Sequence, residues 1–265
     1  AVIEVEGGGE VDAPSQLPRD LPLGAHLLRP LDGGPATRLF VVADRAPRPQ
    51  RGWGWSTQLY GLRSAASWGH GDLVDLGDLA ARAATDGASL VAHNPLGATL
   101  PLERQQPSPY YASSRRFTSP LYLRVESVLG ADLAADQVAR AAAAGRELTS
   151  RRRIDRDAVW ALKLSALDAI WDEVRDAQVV RESLAAVDGD DVLSAHATFC
   201  ALVEHHGSGW STWPVGHRHP ARAEVRSFRE QHADRVDFWR WIQVECDVQL
   251  AHASSTGAGL MGDLP

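Results

Sequence analysis

Hydrophobic residues recur at helical spacing after Asp72, and Leu73 and Leu76 begin the apolar face of a predicted helix. Asp72 can cap this helix, because its carboxylate can accept hydrogen bonds from the first free backbone N–H groups. Asp75 stands three residues on, in the capping-box position. Gly87 is typical of a helix end. The pattern therefore predicts one amphipathic helix with both ends marked.

Two predicted strands flank this helix. Ser56–Leu62 mixes apolar and polar residues, whereas Ala88–Asn94 is short and apolar, as expected of a strand that is covered on both faces. Two strands with a helix between them predict a parallel pair with a right-handed crossover. A polar, proline-rich loop centred on Ser108-Pro109-Tyr110 follows the second strand, where α/β enzymes place their sites.

The rest of the chain has a different pattern on each side of this unit. Glycines, prolines and short apolar runs before the linker Ala46–Gln50 predict a few short strands. From Ala131 onwards the spacing of Trp160, Leu164, Leu167 and Trp171 is typical of a helical region without strands. Further helices are predicted, at Val192–His206, Val225–Gln231 and Val236–Ala253.

These patterns divide the chain into four parts. Residues 1–52 form a partial β domain with its linker, and residues 53–130 form two βα units with the loop. Residues 131–256 form a helical insertion, and residues 257–265 begin a third core strand. The fold class is therefore α/β. A (β/α)8 barrel requires eight strands and only three are predicted, so either the fold is not a barrel or the chain is the front part of one.

Composition narrows the function classes. The 27 basic and 34 acidic residues give a net charge of −7, which argues against nucleic acid and anionic membranes as partners. No apolar run is long enough to span a membrane, and no signal-peptide pattern is present. Cys200 and Cys246 fit no metal motif and are expected to be free thiols in the cytoplasm. The histidine pairs 205–206 and 217–219 have no zinc-site spacing either, so we expect no metal and no cofactor.

The loop carries the strongest candidate chemistry. Ser108-Pro109-Tyr110 and Arg115-Arg116 combine an aromatic face with hydrogen-bonding groups, which is what a sugar site needs. The alternative is a surface loop whose tyrosines pack against helices. Trp53, Trp55, Tyr60 and Trp68 form a second aromatic group, either core or an extension of a sugar groove. Asp263, just after the apolar start of the third strand, is the one carboxylate placed where barrel enzymes keep functional groups.

These segments resemble the amylomaltase family of bacterial 4-α-glucanotransferases. The motifs that carry the resemblance are Gln58-Leu59-Tyr60, Ser67-Trp68-Gly69, Gly71-Asp72, Asn94-Pro95-Leu96, Ser108-Pro109-Tyr110, Ser113–Phe117, Ala161–Leu164, Phe238-Trp239, Trp241–Gln243 and Gly262–Pro265. The resemblance implies an α-amylase-like barrel without a cofactor that transfers α-1,4-glucan segments between maltooligosaccharides by a retaining double displacement. It also implies substrate-binding roles for Ser108, Pro109, Tyr110, Asn94 and Asp263.

Two departures from the family pattern shape the expectation. Gly97 stands where the family branch with Asn-Pro-Leu usually has histidine, whereas another branch has glycine, so the change is either harmless or removes a sugar contact. The family's nucleophile and acid/base follow the motif at Gly262–Pro265, so no catalytic residue is expected in this chain. We therefore expect an inactive front part of the enzyme that folds poorly or aggregates alone, because unpaired sheet edges associate. The alternative is a non-catalytic α-glucan-binding or scaffold protein.

Overall fold

A computed structural model describes residues 1–13, 16–46, 48 and 51–264, which form two units, Ala1–Arg51 and Gly52–Pro265. In the first unit, an antiparallel sheet contains β1 (Val2–Glu4), β2 (Glu10–Asp12), β3 (Gly24–Arg29) and β4 (Thr37–Val41), in the order β2-β1-β3-β4. The short strands predicted before the linker are therefore present. Pro47, Pro49 and Gln50 of the predicted linker lie outside the described residues.

A parallel sheet of three strands forms the frame of the second unit. Its strands are β5 (Gly54–Thr57), β6 (Leu90–His93) and a later strand at Gly259–Gly262, and β6 lies between the other two. The predicted parallel pair and the predicted third strand are both observed. Pro265, the last residue of the segment predicted to begin that strand, lies outside the described residues.

The first strand differs from its prediction at Ser56–Leu62. β5 ends at Thr57, and Leu59–Gly61 forms a 3-10 turn. The backbone N–H of Leu59 donates to the Asn94 side chain (2.7 Å) instead of to a neighbouring strand. The mixture of apolar and polar residues therefore continues past the point where the strand hydrogen bonds stop.

The helix α1 (Leu73–Thr85) begins at its predicted cap. The Asp72 carboxylate accepts from the backbone N–H groups of Val74 (3.0 Å) and Asp75 (3.1 Å), and the Asp75 carboxylate accepts from the Asp72 N–H (3.1 Å). This reciprocal pair is a capping box. The buried face of α1 covers the parallel sheet. The core between them includes Leu59, Leu73, Leu76, Ala80, Ala83, Val91 and Tyr122.

The predicted loop after β6 contains a small antiparallel pair that the sequence analysis missed. The strands are β7 (Gly97–Ala98) and β8 (Ser114–Thr118), and a 3-10 turn at Pro109–Tyr111 lies between them. Two ladder residues are too few to show the period of two on which strand prediction depends. The pair holds both ends of the loop together.

The strand Gly259–Gly262, labelled β9, is the last element of the chain. Between β8 and β9 there are six α-helices. They are α2 (Ala135–Leu148), α3 (Arg156–Val174), α4 (Gln178–Ala186), α5 (Asp191–His206), α6 (Ala223–Gln231) and α7 (Ala233–Ser255). All four helices predicted from the apolar stripes are observed. α2 and α4 lie in the region predicted to be helical. Each large aliphatic side chain in this core contributes about 1.5–3 kcal/mol by burial. The second unit is thus mixed α/β.

Candidate functional site

The carboxyl ends of β5, β6 and β9 meet at one edge of the parallel sheet, and the polar residues predicted from the sequence follow two of them. Asn94 follows β6, and Asp263 follows β9. The backbone N–H of Asp263 donates to the His93 carbonyl (2.9 Å), which fixes the Asp263 backbone beside the end of β6. The edge therefore brings residues that are far apart in the sequence into one place.

Asn94 is buried, and its side-chain amide hydrogen-bonds to three other residues. Its Oδ1 accepts from the Leu59 N–H (2.7 Å), and its Nδ2 donates to the Pro95 carbonyl (2.7 Å) and to the Tyr122 hydroxyl (2.9 Å). Burial raises the pKa of Tyr122 to about 12, so this hydroxyl stays protonated at neutral pH. Asn94 thus joins the segments that follow β5 and β6.

Tyr110 reaches from the loop to the end of β9. Its hydroxyl donates to Asp263 Oδ2 at 2.7 Å, across 153 positions of sequence. The hydrogen bond to this carboxylate raises the pKa of Tyr110 above its usual value. The Tyr110 residue is 51% exposed. An accessible aromatic face and a carboxylate therefore stand side by side at the strand ends.

Ser108 and Pro109 set the direction of Tyr110. Ser108 precedes the 3-10 turn, its carbonyl accepts from the Tyr111 N–H (3.2 Å), and its own N–H donates to Gln106 Oε1 (3.1 Å). Pro109 occupies the first position of the turn, where its fixed φ suits the helical backbone. The predicted loop residues thus form one local unit that presents Tyr110.

Gly97 has a steric reason to be glycine. A Cβ atom at this position would lie 2.7 Å from the Ser114 carbonyl oxygen and 2.7 Å from the Ala112 Cβ. Real Cβ atoms do not come this close, so a side chain here would push β8 away from β7. The glycine at position 97 therefore allows these two strands to approach each other closely.

A small cavity of about 20 Å3 lies beneath the loop. Pro107 and Pro109 form one side, and Tyr60, His70 and Tyr122 are on the other. His70 is fully buried, and its Nδ1 is 2.8 Å from the Gly71 carbonyl. Burial, with the nearby positive charges of the protein, lowers the pKa of His70 well below its usual value, so this ring is neutral.

Arg156 was not predicted at this site. It begins α3, and its guanidinium carbon lies 5.0 Å from the centre of the Tyr60 ring, within the range of a cation–π contact. Nothing in the local sequence distinguishes Arg156 from the exposed arginines 151–153 just before it. Tyr60 borders the cavity, whereas Trp68 of the same predicted aromatic group is buried in the helical core.

Buried charges support the floor of the site. The Arg124 guanidinium donates to Asp72 Oδ1 (2.9 Å) and to Asp75 Oδ1 (2.8 Å), so the cap of α1 is tied to the segment after β8. Lys163 donates to the carbonyls of Leu121 and Leu123, both at 2.6 Å, on either side of Tyr122. Burial lowers the pKa of Lys163 to about 8.

Within the described ranges, no group of three or more His, Cys, Asp or Glu side chains is placed to hold a metal ion. In the same part of the chain, no helix is long and apolar enough to cross a membrane.

Comparison with known protein families identifies the family of this chain. The family model for 4-alpha-glucanotransferase, Glyco_hydro_77, matches residues 57–265. The chain belongs to the 4-alpha-glucanotransferase family. This confirms the resemblance that the sequence motifs carry, and the match includes every residue of the candidate site.

Individual members of the 4-alpha-glucanotransferase family are also similar to this chain in sequence. The 4-alpha-glucanotransferase of Mycobacterium tuberculosis (strain H37Rv) is 39% identical over 293 residues, covering 98% of this chain and 39% of that protein. The Haemophilus influenzae enzyme of the same name is 31% identical, covering 86% of this chain and 37% of that protein. The chain thus spans about two fifths of the length of the curated relatives it matches.

Two solved structures are similar. The crystal structure of amylomaltase from Corynebacterium glutamicum has a TM-score of 0.75 and 30% identity, covering 99% of this chain and 41% of that one. Amylomaltase from Streptococcus agalactiae in complex with acarbose has a TM-score of 0.59 at 14% identity, covering 82% of this chain and 43% of that one. The second likeness shows the fold alone.

Proposed function

We propose that this chain provides the glucan-binding edge of a 4-alpha-glucanotransferase, an enzyme that moves α-1,4-glucan segments between maltooligosaccharides by a retaining double displacement. One observation carries the proposal. The Tyr110 hydroxyl donates to Asp263 at the edge where the three parallel strands end. The family match over residues 57–265 supports it independently.

In this proposal Tyr110 and Asp263 contact the sugar. The exposed ring of Tyr110 provides a flat apolar surface for the C–H face of a pyranose. The Asp263 carboxylate accepts several hydrogen bonds, and Tyr110 uses one of them, so acceptor positions remain for sugar hydroxyls. Ser108 and Pro109 hold the turn that presents Tyr110, and Asn94 positions the segment after β5.

We further propose that β5, β6 and β9 are the first three strands of an α-amylase-like (β/α)8 barrel. Their parallel order follows the chain order, as in such a barrel, and the TM-score of 0.75 to an amylomaltase supports this. The helices α2 to α7 then form an insertion between the second and third strands. Cys200 and Cys246 are buried and free, which suits the reducing cytoplasm that we propose as its location.

The proposal assigns no catalytic carboxylate to these residues. Retaining transfer requires two carboxyl groups about 5–5.5 Å apart, one as nucleophile and one as acid and base. Among the site residues described above, Asp263 is the one carboxylate that faces the strand-end edge, and it hydrogen-bonds to a tyrosine. We therefore propose that residues 1–265 bind glucan and do not transfer it.

The experiment is a disproportionation assay with maltotriose, run on the 265-residue chain and, in parallel, on the full-length M. tuberculosis relative. The proposal expects glucose and longer maltodextrins from the full-length enzyme and none from the 265-residue chain. A sharp cooperative melt of the monomeric chain would contradict the poor folding expected from its unpaired sheet edges, and the folded chain is then expected to bind maltoheptaose in calorimetry. Transfer products from the 265-residue chain alone would contradict the proposal that these residues bind glucan without transferring it.

A further inference from the structure

A second cavity lies in the helical region and shares no residue with the candidate site. Its volume is about 750 Å3, within the range of roughly 300–1,000 Å3 that is usual for small-molecule sites. The helices α5 and α6 and the segment 207–222 enclose it. Its walls are predominantly apolar and include Phe199, Leu202, Trp213 and Val225, with Trp210 half exposed at the opening.

Hydrogen bonds hold the wall formed by segment 207–222. The Trp213 indole N–H donates to the Gly207 carbonyl (3.0 Å), and the Arg218 Nε donates to the Trp213 carbonyl (2.7 Å). His206 Nε2 and His217 Nδ1 are 2.8 Å apart, so a hydrogen bond between the two rings joins the end of α5 to this segment. The cavity is therefore formed by fixed groups before any ligand enters, which reduces the entropy cost of binding.

The rim of the cavity is positively charged, although the whole chain carries a net charge of −7. Arg218, Arg226 and Arg229 border the cavity, and Asp191 is the one acidic residue among its lining residues. Within the described part of the chain, neither the Arg226 nor the Arg229 side chain has a hydrogen-bond or ion-pair partner. Two unpaired guanidinium groups beside an apolar, aromatic wall are complementary to an anion attached to an apolar body.

We propose that this cavity binds a small anionic ligand with a planar aromatic body. The body packs against Phe199 and Trp210, and the anionic group pairs with Arg226 and Arg229. Aromatic carboxylates and nucleoside phosphates share this chemistry. A neutral glucan does not, because its many hydroxyls require partners that the apolar walls do not supply. The inference is independent of the function proposed for the strand-end site.

Two matched ligand pairs distinguish an aromatic carboxylate from a nucleoside phosphate. Within each pair, the comparison measures how much the negative charge contributes to binding. Indole-3-acetate is compared with indole-3-ethanol, and AMP is compared with adenosine, by calorimetry on the 265-residue chain. The anionic member of at least one pair is expected to bind with a Kd below about 1 mM, and at least about tenfold tighter than its neutral partner. Which pair shows the difference identifies the carboxylate or the phosphate as the ligand class.

Three variants test whether the ligand binds in this cavity. Arg226→Gln with Arg229→Gln is expected to remove the tenfold advantage of the anion, whereas Arg140→Gln with Arg181→Gln, two exposed arginines outside the cavity, is expected to keep it. Ala195→Trp places a bulky ring at the cavity wall and is expected to weaken binding of both members. Unchanged melting temperatures and unchanged far-UV circular dichroism spectra show that the variants are folded.

The proposal fails if no anionic member binds below about 1 mM, or if each neutral partner binds as tightly as its anion. It fails equally if folded Arg226→Gln with Arg229→Gln or folded Ala195→Trp binds the anion as the wild type does.

Discussion

Lys163 is the only lysine in the 265 residues, and replacing it gives a quantitative test of the floor of the site. Its amine is fully buried and donates to the carbonyls of Leu121 and Leu123, which flank the Tyr122 that holds Asn94. Burial lowers its pKa from 10.5 to about 8. This difference corresponds to about 3 kcal/mol between the charged and neutral forms.

The direction of the pH effect follows from proton binding. Below about pH 8 both the folded and the unfolded chain carry this proton, so the folded chain bears the full cost of burying the charge. Between about pH 8 and 10.5 the unfolded chain binds more protons, so the free energy of unfolding contributed by Lys163 rises with pH. The neutral amine keeps two N–H groups, so both carbonyls can remain paired.

Lys163→Met removes this titration. Near pH 7 the variant gains about 3 kcal/mol from the absent charge and loses a similar amount from two unpaired buried carbonyls, at about 1–3 kcal/mol each. We expect the stability advantage of the wild type over the variant to grow by about 3 kcal/mol between pH 7 and 10.5, measured by urea unfolding. NMR of 13C-labelled lysine shows one signal, expected to titrate near pH 8. A midpoint near 10.5 with a constant difference in stability would refute the reasoning.

Two further predictions concern the loop and the cap. Gly97→Ala is expected to lower the free energy of unfolding by about 1–3 kcal/mol and to weaken maltoheptaose binding, whereas Gly189→Ala, where a Cβ meets open space, leaves both unchanged. Equal melting temperatures for the two variants would show that the strands move apart easily. Asp72→Asn removes one of the two carboxylate partners of the buried Arg124 and is expected to cost about 3–5 kcal/mol in chemical denaturation. The exposed Asp86→Asn should cost below about 0.5 kcal/mol, and similar costs for both would contradict a buried ion pair.

Local signals account for what the sequence predicted well. The capping box at Asp72 and Asp75 depends on residues three apart, and the stripe through Trp160 and Trp171 depends on helical periodicity, so both are visible without the fold. Asp263 was found from its place after an apolar strand. Each of these signals lies within one element.

The features that the sequence did not predict depend on contacts between residues far apart in the chain. The partner of Asp263 is Tyr110, 153 positions away, and no periodicity links the two. β5 ends early because the Leu59 N–H bonds to the Asn94 side chain, which only the folded edge brings near. Arg156 reaches the site because α3 begins beside Tyr60, a placement that depends on the packing of the helical region.

The central claim is that Tyr110 and Asp263 form a glucan-binding edge, and calorimetry with maltoheptaose tests it most directly. Tyr111→Ala is the matched control, since Tyr111 is a neighbouring exposed tyrosine without the bond to Asp263. The account predicts that Tyr110→Ala and Asp263→Asn each weaken binding by about tenfold or more, while Tyr111→Ala binds as the wild type does. Wild-type affinity in all three folded variants would contradict the account.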